Sequence, residues 1–138
     1  MSVAKHSILT ERQTNLCEYG GVFGVLLTLT CLIQHMIFTI NTWLTQLMIP
    51  GYLFTIVVFI LLALKKPVSL ILLIISVVIS LTMQLIWTRH QAISLVVICL
   101  FIYHIIMLLA LHAEHVPARL KEKQRLERAE RDEWAGKI

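Results

Sequence analysis

Residues Ala92–His112 read AISLVVICLFIYHIIMLLALH, and residues Arg119–Arg131 read RLKEKQRLERAER. The first stretch has 21 residues and no Asp, Glu, Lys or Arg. A helix of that length, at about 1.5 Å per residue, crosses a hydrocarbon core roughly 30 Å thick. The second stretch carries six basic residues in thirteen. Basic residues directly after an apolar span mark its cytoplasmic end. This junction sets the direction in which the whole chain is read.

Three more uncharged stretches lie upstream: Gly20–Ile40, Met48–Leu64 and Val68–Trp87. With Ala92–His112 they run from 17 to 21 residues. Strands average about five or six residues, so these are helices. A membrane β-barrel would alternate polar and apolar residues, and these stretches do not. The predicted fold is all-α and integral to a membrane, with four transmembrane helices. The short connections make neighbours antiparallel and predict an up-down-up-down bundle. Residues 1–19 form a polar arm, residues 20–112 the transmembrane domain, and residues 113–138 a charged helical tail.

Composition points the same way. Hydrophobic residues make up 58% of the chain and charged residues 14%. Soluble domains have about 45–50% and 25%. Mean hydropathy is +0.82. A water-soluble fold of 138 residues could not hide that much apolar surface; lipid is the solvent. The net charge is +4 and the pI near 9.2. No nucleic-acid module accompanies that charge, so the partner it implies is the lipid bilayer.

Charge placement predicts the threading. The arm, the Lys65-Lys66-Pro67 turn and the tail hold two, two and seven Lys or Arg residues, eleven of the twelve. Only Arg89 falls in the other turns. Both termini are therefore expected in the cytoplasm, with the protein in the plasma membrane (the bacterial inner membrane). Trp43 and Trp87 then fall at the outer interface, where aromatic belts lie. The polar arm is no signal-peptide leader, and the first span is expected to stay as an anchor.

The three cysteines, Cys17, Cys31 and Cys99, show no CxxC spacing and read as packing residues. In the first span Gly20, Gly24 and Thr28 recur every four residues, and His35 continues their stripe. Small residues at that spacing admit a neighbouring helix backbone. Ser7 or Thr10 is a candidate helix cap, and Pro50 is expected in the first turn of the second helix, where its missing N–H costs nothing.

Ionisable or amide side chains inside a membrane are candidate functional groups by default. At about 1.5 Å per residue, His35 and Gln84 both lie roughly 23–24 Å from the cytoplasmic end and are expected to pair. His104 lies about 12 Å up, level with Ser76 and Thr28. A haem or quinone held by His35 or His104 is the redox alternative. The two depths differ by about 10 Å, a poor match for two axial ligands of one iron. His112 and His115 are an i, i+3 pair that lacks the further ligands zinc needs, so no metal is predicted. Small multidrug-resistance transporters share this length and span count, but they depend on a carboxylate in the first helix. None of the four spans here contains Asp or Glu.

In the tail Arg119, Lys121, Lys123 and Arg125 are placed to meet anionic headgroups or a partner, and Trp134 to dock at either. Glu127 and Arg131 form an i, i+4 pair in the favourable orientation. No catalytic motif emerges. The reading is a non-enzymatic accessory or assembly subunit that packs with other membrane proteins or with itself. The rival is a redox or transport component using His35 or His104.

Overall fold

Every element among the described residues is helical: α1 (Glu11–Phe38), α2 (Trp43–Ala63), α3 (Val68–His90), α4 (Leu95–Ala113) and α5 (Val116–Gly136). The structure is a computed structural model that describes residues 9–38, 43–90 and 95–137. Helices α1 to α4 are long and apolar enough to cross a membrane. The architecture is that of a small polytopic membrane protein. The parts of the predicted arm, spans and turns that fall on residues 1–8, 39–42 and 91–94, and the side chain of Trp87, lie outside the described residues.

Helix α1 begins at Glu11, well before the expected Gly20. Its start is a capping box. The Gln13 N–H donates to Thr10 Oγ1 at 3.2 Å, and the Thr10 N–H donates to Gln13 Oε1 at 3.0 Å. This arrangement satisfies two backbone donors that a helix start otherwise leaves open. At 28 residues α1 is about 42 Å long, against roughly 30 Å of hydrocarbon. Its first turns, with Glu11, Arg12 and Glu18, therefore extend beyond the apolar layer.

Pro50 is a correction. Helix α2 starts at Trp43, so Pro50 lies inside it and not in its first turn. The expected loop NTWLTQL contains no Gly or Pro to stop a helix, so the helix runs back through most of it. Pro50 then withholds one bond from the Gln46 carbonyl.

Helix α2 ends at a left-handed residue, Lys65, with φ 58°. The Lys66 N–H bonds the Leu61 carbonyl and the Lys65 N–H bonds the Leu62 carbonyl, at 3.0 and 2.9 Å. That is the Schellman pattern, with Pro67 following as a stop. His115, with φ 55°, is the second left-handed residue. It ends α4 and begins α5, so the tail turns sharply where it leaves the span.

Helix α1 packs on α2 and α4, α3 packs on α2 and α4, and α5 packs on α4. One core cluster contains Cys17, Phe59, Leu62, Met107 and Leu111, and also Val116 and Leu120 of α5. A second contains Cys31, Met48, Tyr52 and Leu100. Three polar contacts join the basic segments at one end. Gln13 Nε2 donates to the Glu114 carbonyl at 2.6 Å, Arg12 pairs with Glu114 at 3.2 Å, and Lys65 pairs with Glu18 at 2.8 Å.

Candidate functional site

Tyr103 and His104 of α4 pack against Phe59, which is fully buried on α2. A Cβ added at Gly24 would clash with the Phe59 ring, and one at Gly20 would meet the tip of Met107. Gly21, outside the expected stripe, is the tightest in kind. Its added Cβ would lie 2.6 Å from the Phe59 carbonyl oxygen and 2.8 Å from the Ala63 nitrogen, both backbone atoms. Gly21 stands three residues before Gly24, and that i, i+3 spacing was the signal for it. Thr28 is buried, and its hydroxyl donates to the Gly24 carbonyl at 2.7 Å.

Tyr103 Oη donates to the Gly20 carbonyl, tying α4 to α1. The Phe59 ring centroid is 5.7 Å from that of Tyr103 and 5.1 Å from that of His104. These tilted contacts suit aromatic quadrupoles. His104 is fully buried. Its Nδ1 is 2.8 Å from the Leu100 carbonyl oxygen, its Nε2 is 2.9 Å from Ser76 Oγ, and Ser76 Oγ is 3.1 Å from Thr55 Oγ1. A carbonyl only accepts, so Nδ1 carries a proton. In the neutral ring Nε2 then accepts from the Ser76 hydroxyl. The Thr55 hydroxyl has one proton, which goes either to Ser76 Oγ, joining α2 to the file, or to the Gly51 carbonyl on its own helix at 2.9 Å. His104 thus meets Ser76, the residue at its own depth.

His35 and Gln84 have other principal contacts than one another. Gln84 Nε2 donates to the Val97 carbonyl at 2.8 Å, bridging α3 to α4. His35 is buried and stacks on Tyr52, with centroids 5.3 Å apart and planes at 29°. Residue counting assigns each a depth but not the rotation of its helix about the axis. Tyr52 is also buried, and its hydroxyl has no hydrogen-bond partner among the described residues. It borders a cavity of about 20 Å³ shared with Thr55, Ser80 and Met83. That volume suits about one water molecule.

Both ring nitrogens of His104 are engaged, so an iron ligated there would have to displace Ser76 or free the Leu100 carbonyl. Among the described residues no three His, Cys, Asp or Glu side chains gather as a metal site requires. His112 and His115 are exposed at the α4–α5 junction.

On α5, Arg119, Lys121 and Arg125 are exposed and Lys123 is half-buried. Arg119 lies 3.9 Å from Glu122. The Lys137 ammonium sits 5.6 Å from the centre of the exposed Trp134 ring. The expected Glu127–Arg131 bond is not among the ion pairs of the described residues. Arg128 and Arg131, which were not among the expected headgroup contacts, share a cleft with Lys123, Lys65 and Lys66. No protein-family model, no curated protein and no solved structure shows significant similarity to this chain.

Proposed function

We propose that this protein is an accessory or assembly subunit of a bacterial plasma membrane, packing with other membrane proteins and catalysing no reaction. Its four spans thread up, down, up and down, with both termini cytoplasmic. The threading is supported by the charge asymmetry and by the contacts of Arg12, Glu18 and Lys65 at one end.

The observation that carries the functional reading is how the intramembrane polar groups are used. Thr28, Thr55, Ser76, Gln84, Tyr103 and His104 all make hydrogen bonds inside the protein. The cavity beside them is of single-water size. Those of Ser76, Gln84, Tyr103 and His104 join one helix to another, each such bond contributing about 0.6 kcal/mol and up to roughly 2. The surface left for a partner is apolar: Ile71, Ile74, Ile75, Val78 and Leu85 are exposed along one side of α3.

The test is crosslinking in native membranes followed by purification in mild detergent. A reproducible membrane-protein partner and no haem absorbance are expected. A chain that purifies alone with a bound chromophore would favour the redox alternative. So would a His35→Gln or His104→Gln variant that stays folded and inserted but loses an electron- or proton-transfer activity.

A further inference from the structure

We propose that the cleft between the α2–α3 turn and α5 binds the phosphate-bearing headgroup of an anionic phospholipid. The cleft has a volume of about 240 Å³. Lys65 and Lys66 line it from the turn, and Lys123, Arg128 and Arg131 line it from α5. At 100° per residue, the three α5 cations lie within about 140° of arc on the side that also carries the buried Leu120. Docking of Leu120 into the core therefore turns them towards the turn.

The charge of this cleft is not neutralised from within. Lys65 pairs with Glu18 at 2.8 Å. Among the described residues Lys66, Lys123, Arg128 and Arg131 make no ion pair. Glu127 is the one carboxylate in the lining. Four cations held around one small volume repel each other and attract an anion. Two of them are arginines, whose planar donor fork matches phosphate oxygens. Glu127 offers an acceptor to a headgroup hydroxyl.

Position selects a lipid over a soluble phosphate. Leu64 lines the same cleft and is 60% exposed. It follows directly on the apolar span of α2, and Val68, 49% exposed, opens that of α3. The cations therefore stand at headgroup depth, with an apolar rim on the membrane side. Basic pockets at the cytoplasmic ends of membrane helices bind anionic headgroups in this manner. The inference rests on the membrane placement of the helices and is independent of whether the chain has a protein partner.

The test is lipid titration of the full-length protein in neutral detergent, read by native mass spectrometry. The probes are phosphatidylglycerol, phosphatidylcholine and inorganic phosphate. Phosphatidylglycerol is expected to fill one saturable site that phosphatidylcholine does not. Each interfacial cation contributes about fivefold to such binding, so the Lys123→Gln/Arg128→Gln/Arg131→Gln variant should bind roughly a hundredfold more weakly. The Arg119→Gln/Lys121→Gln/Arg125→Gln variant removes equal charge from cations that do not line the cleft; it weakens diffuse headgroup attraction only and should retain the one saturable site. Should the cleft triple variant fail to fold, Arg128→Gln alone is expected to weaken binding about fivefold. Equal losses in both triple variants would overturn the cleft in favour of diffuse surface charge. Similar binding of the two lipids, or displacement of phosphatidylglycerol by equimolar inorganic phosphate, would overturn the lipid assignment.

Discussion

Replacing Gly21 by alanine should destabilise this protein more than the same change at Gly24 or Gly20. The added Cβ at Gly21 meets backbone: the Phe59 carbonyl oxygen at 2.6 Å and the Ala63 nitrogen at 2.8 Å. Ordinary contact begins near 3.4 Å, so α1 and α2 would have to part by roughly 0.8 Å. A helix pair cannot yield there by rotating a side chain. The cost should therefore sit at the upper end of the 1–3 kcal/mol typical of overpacking, about 2–3 kcal/mol. At Gly24 the obstacle is the Phe59 ring, itself packed on Tyr103 and His104; about 1–2 kcal/mol is expected. At Gly20 the obstacle is the flexible end of Met107. That thioether can swing away, and the gain in helix propensity of up to about 1 kcal/mol brings the net change near zero. Cys17 and Cys31 are buried and Cys99 is exposed, which supplies the assay. In a Cys99→Ala background, a thiol-reactive dye added during heating reports opening of the bundle. Gly21→Ala as stable as Gly20→Ala would refute the backbone contact and with it the register of α1 on α2.

Four further outcomes follow from other contacts. Ser76→Ala should loosen the bundle by about 0.6–2 kcal/mol, because His104 Nε2 loses its donor; unchanged thiol protection would mean the bond carries no stability. Thr10→Ala removes the cap on α1 and should cost about 0.5–2 kcal/mol locally, read as faster amide exchange at Glu11–Gln13; unaltered exchange would argue against the capping box. His35→Leu and Gln84→Leu should combine additively, within about 0.5 kcal/mol, since Gln84 bonds Val97 and His35 stacks on Tyr52; a larger coupling would restore the direct pair. In a cysteine-free background, a cysteine at Gln46 should react with impermeant maleimide from outside intact cells, and one at Lys121 only after permeabilisation; the opposite pattern would invert the threading.

What was legible in the sequence is what depends on one dimension. The existence of four spans follows from runs of uncharged residues, because a membrane helix must be apolar along its length. Height was also accessible: His104 and Ser76 lie level by residue counting and are in contact. Azimuth was not. His35 and Gln84 come out level by residue counting but engage Tyr52 and Val97, since the angle between two helix faces depends on how all the helices pack. Helix ends were poorly legible for a related reason. The apolar run marks where hydrocarbon begins, whereas α1 starts at its Thr10–Gln13 cap and α2 runs through Pro50. The cleft was missed because Lys65 and Arg128 are distant in sequence and meet only when α5 docks.

That docking draws on a different force from the one that closes the spans. Within hydrocarbon, apolar side chains gain little by leaving lipid, so α1 is held to α2 by close approach at Gly21 and Gly24 and to α4 by bonds such as Tyr103 to Gly20. At the basic end water is the competing solvent. Burial of Val116 and Leu120 there is hydrophobic stabilisation in the ordinary sense, about 1.5–3 kcal/mol for each side chain. It exceeds the roughly 1–2 kcal/mol cost of holding His115 left-handed, and the Gln13–Glu114 bond adds to it. The tail is thereby a fixed wall of the basic end. Its cations face Lys65 and Lys66 because two apolar residues on the same side of α5 have been taken into the core.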